Sequence, residues 1–338
     1  DLHRRRHSFP TRRSSDLRIA YIGNFEPEFS TENDVRKAFK HLGHEVIQLQ
    51  ENKVSLDKVR ECALDSDLLL VTGTWGDAFD LKEFIDLIHD LSLANITSAT
   101  LHLDTFWGTS RGGRKWWHEP MFHTAYIFTA DGDYNDKWEL LGKNHYWLKP
   151  GVRHDAAKWG KERKEYECDV ALVGSNGDGY HEDVWTYRKE LAEQLRKMCK
   201  KNGWVYRNPG GDEPKIDRND DMNDFYASAK VTVGDSLCLF KEDSKYWSDR
   251  VPEATGRGGF LIMPHIKAMK YDWNKLPTYN WGDWKQLEEM IKYYLEHEEE
   301  RHTIQAENQA ITAEEHTYVN RVKTILKICE VKNADDKK

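Results

Sequence analysis

Val170-Ala171-Leu172-Val173-Gly174-Ser175-Asn176 decides how this chain is read, because it echoes a much earlier run, Ile19-Ala20-Tyr21-Ile22-Gly23-Asn24. In both, a short apolar stretch is stopped by glycine and followed by a segment of helical period. The apolar run is the mark of a strand buried on both faces. After Gly23, Ser30 or Thr31 caps a helix whose apolar positions Val35, Ala38, Phe39 and Leu42 form one stripe, closed by Gly43. After Gly174, Tyr187, Leu191, Leu195 and Met198 lie on one face of a long helix. The repeat predicts two similar βα halves, each an α/β unit with a parallel sheet. Two such halves leave a cleft between the C-terminal ends of their strands, where ligands sit.

Working outward, the first half adds strands at 44–49, 68–71, 99–103 and 125–129 and helices near 55–64 and 80–91. The second adds strands at 204–207, 230–234 and 259–263 and helices near 220–229 and 248–256. Two tail helices follow, one striped by Leu287, Met290, Ile291, Tyr294 and Leu295, the other by Tyr318, Val322, Ile325 and Cys329. Between the halves, Lys149 to Glu167 breaks the rhythm with Lys-Pro-Gly and a run of charges, and reads as a surface linker. The expected organisation is an N-terminal Rossmann-like acceptor-side domain over 17–152, a linker over 153–166, a C-terminal Rossmann-like domain over 167–305, and a final helix and tail over 306–338.

Residues 1–16, with five Arg and no period, resemble a translated sequencing adapter and are set aside from fold reasoning. Without them the net charge moves from −8 to −11, which makes nucleic acid an unlikely partner. The 338 residues include 40 aromatics, too many for a disordered chain, and no apolar run long enough to span a bilayer. Five widely spaced cysteines read as reduced core thiols, pointing to the cytoplasm. The histidines show no zinc spacing, so no metal is expected.

Four constellations carry chemistry. Gly174-Ser175-Asn176-Gly177-Asp178-Gly179, between strand and helix, lets backbone amides approach phosphate oxygens; its alternative is a plain turn. In the segment from Tyr246 to Ile262, Arg250 and Glu253 share a helix face. The guanidinium is a clamp for phosphate and the carboxylate an acceptor for ribose hydroxyls; an ion pair and helix cap is the bland alternative. His102 and Asp104 close a strand on one face, where Asp104 could deprotonate a hydroxyl and Trp107 stack on a sugar, unless both serve loop packing. Asp131-Gly132-Asp133 is read as a turn and not as a cation site.

The second half resembles the C-terminal domain of GT-B glycosyltransferases, and is most similar to the CgeB-type, spore-maturation-protein-like family. The resemblance rests on Ser248-Asp249-Arg250, Glu253 and Gly258-Gly259, on Asn308-Gln309 and His316 to Tyr318, and on Leu101–Trp107 and Tyr146–Val152 in the first half. It implies the GT-B fold, two Rossmann-like domains facing a central cleft. It also implies metal-independent transfer of a sugar, with no cofactor beyond the UDP- or GDP-sugar donor, to a hydroxyl on a glycan, protein or small molecule. Glu253 would hold the ribose, and Arg250 with Gly174 and Ser175 the diphosphate; Tyr246, Ser248, Gly258 and Gly259 complete the implied donor site. Many retaining GT-B enzymes carry a second Glu eight positions before the first, and here that position is Lys245. Retention therefore stays open. A sugar-nucleotide epimerase, a non-catalytic sugar-nucleotide binder and a phage-type DNA glucosyltransferase are the competing readings.

Overall fold

The computed structural model describes residues 16–73, 78–105, 119–176, 186–238 and 240–331. The first sheet comprises β1 (Arg18–Gly23), β2 (Glu45–Gln50), β3 (Leu68–Val71), β4 (Thr97–His102), β5 (Tyr126–Thr129) and β6 (His145–Trp147). Its order is β2-β1-β3-β4-β5-β6, with every pairing parallel. The interleaved helices are α1 (Thr31–His41), α2 (Leu56–Leu64), α3 (Leu81–Leu93) and α4 (Asn135–Leu140). The start of α1 is set by Ser30, whose hydroxyl accepts from the Asn33 N–H at 3.2 Å. Alternation along the strands divides the core. Ile19, Tyr21, Leu68 and Leu70 face α1, whereas Ala20, Ile22, Leu69 and Val71 face α2 and α3.

The second sheet comprises β7 (Cys168–Ala171), β8 (Tyr206–Arg207), β9 (Ala229–Val233), β10 (Leu261–Pro264) and β11 (Thr278–Tyr279), in the order β11-β10-β9-β7-β8. It too is parallel throughout. Its helices are α5 (Thr186–Asn202), α6 (Asp220–Ser228), α7 (Arg250–Gly256) and α8 (Trp284–Glu296), followed by α9 (Glu298–Glu315) and α10 (Tyr318–Ile328). The two echoing runs become β1 and β7, and each holds the same place in its sheet. The chain leaves toward one neighbour and returns on the other side, so the exits of β1 and β7 are the topological switch points.

Four elements escaped the sequence reading, among them the short helix α4. The strands β6 and β11, three and two residues long, are too short to show a period. The helix α9 buries Arg301, Gln305, Asn308 and Thr312 beside Ile304, so its inner face is polar and carries no apolar stripe. Of the Glu298–Arg301 charge run only the glutamates are solvated; Arg301 is buried and donates to the Tyr294 carbonyl at 2.7 Å. The last helix, α10, returns to the first sheet, where Tyr318, Val322 and Ile325 join the core under α1. Among the described residues, no helix is long and apolar enough to cross a membrane, and all five cysteines are free.

Candidate functional site

Gly174 leaves β7 with φ +115°, a backbone that side chains rarely adopt. A Cβ there would stand 2.9 Å from Arg250 Nη2 and 3.8 Å from Arg188 Nη1, so the glycine admits two guanidinium groups to the switch point. Both are held by Asp235, which follows Gly234 at the exit of β9 and is fully buried. Arg188, from the first turn of α5, donates to Asp235 through Nε at 2.9 Å and Nη2 at 2.7 Å. Arg250, at the start of α7, donates through Nη1 at 3.0 Å. Burial pushes the Asp235 carboxyl up, but Arg188 and Arg250 together hold it below its ordinary value. Two cations on one carboxylate leave one net positive charge beside Gly174, the condition for binding an anion. Ser248 braces the assembly by donating to the Asp235 carbonyl at 3.2 Å.

Glu253 lies one turn further along α7 and is buried. Its Oε2 accepts from Arg257 Nε at 2.8 Å, and its Oε1 lies 2.7 Å from Arg218 Nη2. Burial opposes the charge, yet the Arg218 and Arg257 guanidinium groups hold the carboxyl at about 2. Arg257 is a packing residue, donating to Asn223 Oδ1 at 2.5 Å and to the Asn219 and Arg218 carbonyls. Arg218 faces the first sheet, where its Nη1 is 3.5 Å from the Phe29 carbonyl and its charge acts on Asp34 at the start of α1.

Of the residues expected in the donor site, the structure therefore brings Gly174, Ser248 and Arg250 together, with Glu253 one turn behind. Ser175 follows Gly174 and is exposed. Gly258 and Gly259 are not brought to this cluster. They lie past the far end of α7, where added Cβ atoms would meet Trp159 and Tyr226 at 2.7 Å, so close packing accounts for both. Tyr246 is buried, and its hydroxyl is pushed well up by burial and then by the charge of Asp104. Asp104 thus reaches the second sheet's loops electrostatically from the end of β4. His102 is buried in the first sheet's core, edge-on to Phe122 at 5.9 Å between ring centres. Trp107 and Gly177–Gly179 fall outside the described residues.

Asp131 makes the expected turn, its Oδ1 accepting from the Asp133 N–H at 3.0 Å while Thr105 donates to Oδ2. Asp133 crosses to the other sheet, accepting from Ser244 Oγ and the Lys245 N–H, both at 2.5 Å. Lys245 itself is exposed and meets the first half through its backbone. Asp235, Arg188 and Arg218 were missed. The one local signal was Val233-Gly234-Asp235, a strand, a glycine and an acid in the pattern already read at Gly174.

Residues 153–327 match the model of the glycosyl transferase-like family. The chain belongs to that family. No curated protein sequence matches this glycosyltransferase. Its fold is similar to that of an alpha-glucosyltransferase solved with UDP-glucose and DNA containing an abasic site, at 12% identity and a TM-score of 0.62, covering 93% of this chain and 100% of that one. It is also similar to Anabaena Alr3699/HepE with UDP and glucose (13% identity, TM-score 0.56, 93% and 99% covered). A third likeness is the alpha,alpha-trehalose-phosphate synthase (UDP-forming) from Burkholderia vietnamiensis (11% identity, TM-score 0.55, 93% and 99% covered). The two parallel-sheet units are thus the GT-B fold, as the sequence resemblance implied.

Proposed function

We propose that this glycosyltransferase moves a hexose from a UDP- or GDP-sugar to a hydroxyl acceptor without a divalent cation. The Arg188–Asp235–Arg250 cluster beside Gly174 carries the reading. It sets one net positive charge, already desolvated, at the switch point where a donor diphosphate would lie. A leaving diphosphate is stabilised there with little reorganisation, which is how fixed charge lowers a barrier. Glu253 would accept the ribose hydroxyls after sharing its Oε1 with Arg218. Asp104 would take the acceptor proton, with His102 behind it. Ser248-Asp249-Arg250 and Glu253 support the CgeB-type affinity, and the free thiols fit a cytoplasmic setting.

Titration calorimetry with UDP and GDP tests the donor site. Arg250→Ala should weaken the better nucleotide at least tenfold, and transfer should persist in EDTA. Equal affinity in the variant would remove Arg250 from the site, and loss of turnover in EDTA would remove the metal-free mechanism. Lys245, in place of an acid, favours a second reading as a sugar-nucleotide binder without turnover. UDP release from UDP-glucose in the presence of an acceptor separates the two.

A further inference from the structure

Beyond the donor cluster, one group of side chains has no part in the mechanism above. Phe240 is 63% exposed, and its backbone sits at φ +57°, a conformation uncommon for a bulky residue. Strain of this kind concentrates at binding sites. The Phe240 ring stands edge-on to Tyr187 at 5.9 Å and tilted to Trp281 at 5.8 Å. The rings behind it are fixed. Trp281 Nε1 donates to the His265 carbonyl at 2.9 Å, the Tyr187 and Tyr279 hydroxyls pair at 2.9 Å, and Tyr187 stacks on Trp284 at 5.4 Å. Exposed polar groups rim this face: Asn280, Lys241, and Glu190, which accepts from Trp284 Nε1 at 3.2 Å.

We propose that the Phe240–Trp281–Trp284 face, backed by the buried Tyr187 ring, binds a saccharide and that this saccharide is the acceptor of the transfer. The proposal rests on the donor assignment above for its place in the reaction, though not for the binding itself. Rigid ring faces bordered by hydrogen-bonding groups suit the C–H faces and hydroxyls of a sugar. The location follows from the donor axis. Tyr187 adjoins Arg188 in α5, and the Asp235 charge reaches the Tyr187 and Tyr279 hydroxyls. Glu253 is one turn further along α7 from Arg250 and meets Arg218 and Arg257 instead. A donor laid from Glu253 through Arg250 therefore presents its sugar toward the aromatic face. A polyanion suits the face less well, since Glu190 and Asp283 border it on a chain of net charge −8.

Saturation-transfer NMR, irradiating aromatic protons, tests this with maltotriose, cellotriose and chitotriose as probes and a single-stranded oligonucleotide as the alternative. At least one trisaccharide should receive saturation from the wild-type protein. The signal should fall at least fivefold in Phe240→Ala and persist in Phe240→Trp, which restores a ring, with melting temperatures confirming that both variants fold. A signal that survives Phe240→Ala, no transfer to any trisaccharide, or transfer to the oligonucleotide alone overturns the proposal. UDP titrations on the same samples report the donor site separately. Failure of UDP to bind would sink the donor reading and leave the sugar result standing on its own.

Discussion

Asp34 is buried in the first turn of α1, and its Oδ1 has no hydrogen-bond donor. Burial, opposed by the Arg218 charge and reinforced by that of Glu253, leaves its carboxyl raised to about 6. The native state therefore holds a proton that the unfolded chain has lost between the ordinary value of 3.8 and about 6. Stability falls as pH rises through that window. Asn keeps the shape and carries no charge, so Asp34→Asn should be about 1–3 kcal/mol more stable at pH 7.5 and little different at pH 4. Urea denaturation at both values checks it, and a variant less stable at pH 7.5 would refute it. Glu253 has the opposite sign. Held at about 2 against 4.5, it contributes stability above pH 4.5 that is lost as pH falls toward 2. At this scale Gly174, Arg250 and Glu253 were legible because each sits in a local pattern, a strand stop or an i,i+3 pair. Asp34, Arg188, Arg218 and Asp235 were not, because their partners come from four separate segments.

Helix α7 carries Arg250 and Glu253 yet has only seven residues, too few to hold its own position. It is held by α9. Thr255 and Thr312 pair through their hydroxyls at 2.8 Å, and Trp273 Nε1 donates to Thr312 Oγ1 at 2.8 Å. A Cβ on Gly256 would stand 2.9 Å from Val152 Cγ1 and 3.0 Å from Thr312 Cγ2, so the helix packs backbone-close. Thr312→Val keeps the shape and strands a buried indole N–H, which should cost about 1–3 kcal/mol. Thr312→Ser keeps the hydroxyl and should lie nearer the wild type. Denaturation of the two variants is the measurement, and equal losses would show that packing volume, not the hydroxyl, is what Thr312 supplies. The same helix shows why some elements were hidden. Strand stops and apolar stripes announce β1, β3, β7 and α5, but α9 is a structural helix whose inner face is polar, and hydrophobic period has nothing to report there.

The two sheets are joined by two chain crossings that pair with one another. Val152 N–H donates to the His316 carbonyl, and Tyr318 N–H to the Val152 carbonyl, each at 2.9 Å. Arg321, buried on α10, gathers both crossings by donating to the Lys149, Pro150 and Glu315 carbonyls at 2.6, 3.0 and 3.1 Å. Its Nη2 also lies 2.8 Å from His316 Nδ1. That contact requires a neutral imidazole, and burial with the Arg321 charge holds His316 at about 3. Because α10 follows the second sheet in sequence but completes the first sheet's core, neither half can lose its packing without pulling on this junction. The wild-type protein should therefore unfold in one calorimetric transition. A lysine at 321 keeps the charge but cannot fork to three carbonyls. Arg321→Lys should lower the melting point and broaden or split the endotherm, with the calorimetric enthalpy exceeding the van't Hoff value. One sharp transition at the wild-type temperature would mean that the halves are coupled elsewhere, with Asp133 at Ser244 and Lys245 the contact to remove next.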